Sequence, residues 1–112
     1  MGLLSLRRNR TKSAVINLES ENDRIEPYMV RVLERDQERR AMDYEKHSSM
    51  AYEYVSSSLI LAEVYAKTGR IDEARKLAES SKSEIDKIEN MDKKNTMETL
   101  YGKVIQRIER VD

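Results

Sequence analysis

The side chains able to do chemistry are few in this chain and stand far apart. Its one histidine, His47, follows Asp43 by a single helical turn, so a helix would aim the imidazole and the carboxylate at the same point. Two ligands fall short of the three or four that zinc requires, and no Glu-x-x-His pair is present to complete a set. The sequence therefore implies no metal site and no cofactor. Glu63 is the other candidate, a carboxylate inside an apolar run where burial would disfavour an uncompensated charge. No histidine or second carboxylate stands near it in sequence to share a proton, so its position reads as that of a groove residue. Neither a glycine-rich phosphate loop nor a serine in a nucleophile elbow occurs. The chain reads as a protein that is not an enzyme.

Composition narrows the classes that remain. Lys plus Arg and Asp plus Glu number 21 each, which gives a formal net charge of zero and no sign of a general nucleic-acid binder. Charged and hydrophobic residues each make up 38%, and one proline and three glycines leave little room for a turn-rich β fold, so an all-α chain is expected. At 112 residues the chain suits one small domain. The absence of cysteine removes disulfides and thiol chemistry and fits a reducing, cytoplasmic setting. No stretch approaches the roughly 18 apolar residues of a transmembrane segment.

The elements that must position any site are organised around a helical hairpin from Ser56 to about Asn90. Met50, Tyr54, Ser58, Leu61 and Tyr65 recur at helical spacing, and Ala51, Val55, Leu59, Ala62 and Ala66 form a second stripe beside them. With Ile60 and Val64 on the far side, the helix is apolar almost all round and must be central. Gly69 is the residue best able to end it, after which Asp72 and Glu73 open a second helix that continues through Ile71, Ala74, Leu77, Ala78, Ser81, Ile85 and Ile88. A connection of about three residues makes the two helices antiparallel neighbours.

From Val55 to roughly Ile88 this stretch resembles a tetratricopeptide repeat, on Leu61 and Ala62 followed by Tyr65, Gly69, Asp72 and Ala74. The chain departs from that pattern at Ser58, Ala78 and Ser81, and no proline closes the repeat. The resemblance implies a protein-protein interaction module, an adaptor or scaffold that takes a protein or peptide partner. It also implies that the inner face of the first hairpin helix lines the groove, through Leu59, Glu63, Ala66 and Lys67. A three-helix domain of the kind that binds tails associated with trafficking ATPases shares the hairpin turn but carries an acidic residue nearer the glycine.

Residues 1–26 read as a basic, mobile arm with an acidic linker, and residues 27–112 as a single helical domain. Arg7, Arg8, Arg10 and Lys12 follow a short apolar start, an order opposite to that of a secretory signal. They carry the alternative function, a small nucleic-acid-associated protein that uses the arm as its anionic contact. Pro27 begins a helix whose weak apolar stripe, Met29, Val32, Leu33, Arg40, Ala41 and Tyr44, is interrupted by the charged run from Glu34 to Arg40. Asn95 and Glu98 form a capping box for a last helix with the stripe Met97, Leu100, Tyr101, Val104, Ile105, Ile108 and Val111, which should cover the hairpin. The fold expected is a bundle of three to four helices built on the hairpin. Because the helix after Pro27 covers the central one incompletely, a homodimer or a partner-dependent monomer is also expected.

Overall fold

The computed structural model describes residues 26–111, so the basic arm and the acidic linker up to residue 25 lie outside it. Helix α1 spans Pro27–Lys46, a 3-10 turn covers Ser48–Met50, and α2, α3 and α4 span Ala51–Lys67, Ile71–Ile85 and Met91–Val111. No strand occurs among the described residues, as the all-α expectation requires.

Each boundary has a local cause. Pro27 takes the first position of α1, where a missing N–H costs nothing. The helix stops at His47, whose backbone is extended with φ −138° and ψ 103°. Ser48 and Ser49 favour turns over helix interiors, and the Met50 N–H closes the turn on the His47 carbonyl at 3.0 Å. The helix after Pro27 is therefore separate from the central one. Gly69 ends α2 with φ +88°, the Gly69 N–H bonds the Ala66 carbonyl at 3.3 Å, and the Arg70 N–H bonds the Tyr65 carbonyl at 2.8 Å. That pair of bonds is a Schellman cap, which satisfies carbonyls the helix end would leave orphaned.

The last helix begins earlier than its capping box predicts. Helix α4 starts at Met91, and the Asn90 side-chain oxygen accepts the Lys93 N–H at 3.0 Å, so Asn90 is the cap and Asn95 lies within the helix. Starting there adds a full turn and places Asp92 at the positive end of the helix. Gly102 marks no close helix crossing: it is exposed, with nothing within 4 Å of the place a Cβ would occupy.

Helix α2 is the centre of the bundle. It packs against α1, α3 and α4, α4 packs on α3 as well, and the backbone of α1 approaches only α2 and the 3-10 turn. Val55 and Leu59 project from one side of α2 and Val64 from the opposite side, and they are 0%, 0% and 1% exposed. Ala62 and Ala66 of α2, with Ala74 and Ala78 of α3, are also buried, and such small residues let two helix backbones approach closely. Met97, Val104 and Ile108 bring the predicted stripe of α4 into the same core. Helix α1 completes the cover with Met29 buried and Val30, Leu33 and Tyr44 packed on the cluster. No residue of α2 is exposed, so the bare surface on which a homodimer was expected is absent there. Among the described residues the large exposed apolar side chains are instead Tyr28, Val32 and Met42 on α1 and Met91 on α4.

Candidate interaction surface

Three of the four residues expected to line a groove are interior. Leu59 and Ala66 are 0% and 2% exposed and Glu63 is 7% exposed, while Lys67 is only partly covered. Leu59, Glu63 and Ala66 share one stripe of α2, and Arg107 reaches the middle of that stripe from α4, its Nε donating to Glu63 Oε1 at 2.7 Å. The face implied as a groove is thus occupied by the covering helix. The second Glu63 oxygen is buried without a hydrogen-bond partner, which makes Arg107 the group that compensates this interior charge. His47 is exposed, and its backbone N–H donates to the Asp43 carbonyl at 2.8 Å. Among the described residues no group of three or more metal-ligating side chains converges. Arg7, Arg8, Arg10 and Lys12 lie outside the described residues.

What the fold does present is the outer face of α1. Tyr28, Val32, Arg35, Arg39, Met42 and Lys46 recur at intervals of four and three, the spacing of a seam that faces another helix. All six are exposed, with Tyr28, Val32 and Met42 at 50%, 55% and 58%. Val32, read from the sequence as part of the inward stripe, therefore points out. The seam itself carries cations and apolar groups, and acids stand to its sides: Asp36 bonds Arg39 at 3.1 Å and lies 3.6 Å from Arg40.

The inner face of α1 is held by polar contacts that fix its rotation. Near its start, Tyr65 Oη donates to Glu34 Oε2 at 2.6 Å, and the Arg70 guanidinium lies 3.5 Å from the same oxygen and 4.2 Å from the Tyr65 ring centre. Arg70 is itself held by Glu73 through two hydrogen bonds of 2.8 and 2.6 Å. In the middle, Gln37 Nε2 donates to the buried Ser58 Oγ at 3.1 Å. Near the end, Tyr44 stacks on Tyr54 at 5.1 Å and donates to Glu84 of α3 at 2.7 Å. Burial and the neighbouring Glu84 carboxylate push the Tyr44 phenol up to about 12, and burial with Glu34 does the same to Tyr65. Hydrogen bonds from Tyr44 and Lys87 hold Glu84 below the usual carboxylate range.

Sequence reasoning missed this arrangement because Glu34 to Arg40 is charged at every position but Gln37 and reads as one solvated face. The structure divides it: Glu34 and Gln37 turn inward to the hairpin, while Arg35 and Arg39 turn out. The available signal was the 28-32-35-39-42-46 spacing, which runs opposite the inward stripe. Among the described residues no helix is long and apolar enough to cross a membrane. Comparison of the chain with family models, curated proteins and solved structures finds no match.

Proposed function

We propose that this chain is a non-enzymatic protein-protein interaction module whose contact surface is the outer seam of α1. One observation carries the reading: six side chains at helix-facing spacing are exposed on a helix whose opposite face is locked to the hairpin. A seam of this kind suits an amphipathic helix that offers apolar groups to Val32 and Met42 and carboxylates to Arg35 and Arg39. The tetratricopeptide-like reading of the hairpin belongs to the same proposal and is supported by the Gly69 cap and the buried alanines of α2 and α3. The adaptor face moves, however, from the inner side of α2 to α1.

Arg35, Arg39 and Lys46 on one exposed stripe also suit the alternative, association with nucleic acid. The carboxylates beside the seam weigh against it, because phosphates tracking along α1 would meet Asp36 as well. The direct test is a photo-crosslinking side chain placed at Val32 or Met42 in the native host, with the exposed Lys76 of α3 as control. Discrete protein adducts from the two α1 positions and none from the control are expected. Equal labelling from all three, or none from α1, overturns the proposal.

A further inference from the structure

We propose that the partner seated on this seam is a second copy of the chain, which receives it in the cleft between α3 and α4. This rests on the reading of α1 as the contact surface and names its occupant. The cleft has a volume of about 530 Å³, enough for one large side chain and the heads of its neighbours. Ile85, 3% exposed, lines its apolar part together with the half-buried Tyr101. Glu79, Asp86 and Glu98 line it with one cation, Lys82, and Lys94 stands 3.5 Å from Asp86, so three carboxylates meet two ammonium groups.

The charges and spacings of the two surfaces are complementary. Arg39 and Lys46 flank Met42 and stand seven residues apart on α1, about 10 Å along the axis. Glu79 and Asp86 also stand seven residues apart, Glu79 on α3 and Asp86 one residue past its end, directly after Ile85. In antiparallel register Arg39 can therefore meet Asp86 and Lys46 can meet Glu79, which sets Met42 over Ser83 at the cleft. The existing pairs of these groups are weak and can be exchanged. Arg39 is 70% exposed beside Asp36, and Asp86 is 81% exposed at 3.5 Å from Lys94.

A copy does not fill its own cleft. Glu84 holds α1 on one flank of α3, whereas Glu79, Lys82 and Asp86 line the cleft on the flank that faces α4. Twofold pairing of α1 with α1 is disfavoured too, since antiparallel seams set Arg35 and Arg39 against the same cations. The contact is therefore heterologous, with a seam on one side and a cleft on the other, and it builds a closed ring or an open chain larger than a dimer.

Sedimentation equilibrium over a hundredfold range of concentration tests this. For the unaltered chain the average mass is expected to rise past that of a dimer at low salt and to fall back in about 1 M salt, where screening reaches within roughly 3 Å. Arg39→Glu with Lys46→Glu, and separately Glu79→Lys with Asp86→Lys, should each weaken association roughly a hundredfold, because like charges then face each other. All four substitutions in one chain should restore it. These are exposed positions, and unchanged circular dichroism confirms that the variants fold. An unaltered chain that stays monomeric at low salt overturns the inference, as does a fourfold variant that fails to recover. If the chain is monomeric while crosslinks from Val32 and Met42 capture a different protein, this inference falls and the interaction reading stands. If those crosslinks are also absent, both fall.

Discussion

Helices α3 and α1 both lie along α2, yet they are held there by different physics. Between α2 and α3 the contact is apolar and close, with Ala62, Ala66, Ala74 and Ala78 all buried and the chain reversed through Gly69. Between α1 and the hairpin the apolar contribution comes from Met29, Val30, Leu33 and Tyr44, and orientation is set by Tyr65–Glu34, Gln37–Ser58 and Tyr44–Glu84. Apolar packing is insensitive to pH and nearly indifferent to rotation, whereas hydrogen bonds to carboxylates are directional and depend on protonation. The hairpin is accordingly the part that stabilises the domain. Helix α1 is the part whose facing is specified, which is what a contact surface needs.

The largest expected effect is on the hairpin side. Arg107→Ala leaves Glu63 buried and uncompensated, and should lower stability by about 3–5 kcal/mol, read as a fall in both melting temperature and urea midpoint. Replacing the pair together, Glu63→Leu with Arg107→Met, should recover most of that loss. A small effect from the single change would mean that Glu63 reaches water and that this side is less dry than its burial indicates.

Gly69→Val comes next. Nothing lies within 4 Å of the place its Cβ would occupy, so the cost is conformational strain at φ +88° alone, about 1–3 kcal/mol. A variant that melts at the wild-type temperature would remove the cap from the list of what holds the hairpin.

The latches on α1 should respond more weakly and to a different variable. Tyr44→Phe is expected to cost on the order of 1 kcal/mol, and hydrogen exchange should show α1 amides opening at lower free energy than those of α2. Both phenols titrate near 12 in the fold, above the ordinary tyrosine value of about 10. A pKa raised by folding gives stability that is complete below the unfolded value and lost as pH rises from about 10 to about 12. The lowered pKa of Glu84 works the other way, its contribution being present above the ordinary carboxylate range and lost as pH falls. The melting temperature should therefore fall more steeply over the alkaline interval in the unaltered chain than in a Tyr44→Phe, Tyr65→Phe variant. Equal slopes would deny the polar account of how α1 is held.

The smallest effect has the opposite sign. Gly102 is exposed in α4 with open space beside it, so Gly102→Ala should stabilise by up to about 1 kcal/mol and raise the melting temperature.

The sequence by itself determined the helices, the reversal at Gly69 and the central place of α2, because spacing, backbone freedom and an all-round apolar run are properties of neighbouring residues. The same local rules misjudged the start of α4: Asn90 and Asn95 both have capping chemistry, and only the packed position of the helix chose between them. Which face of α1 turns inward was a tertiary decision. Val32 and Leu33 are adjacent and both apolar, and Leu33 is the one that reaches the core because Tyr65, Ser58 and Glu84 hold Glu34, Gln37 and Tyr44 at the angle that puts it there. The partner of Glu63 was decided in the same way, since Arg107 lies 44 residues further along the chain. Its guanidinium arrives only when α4 folds over the face that would otherwise have been a groove.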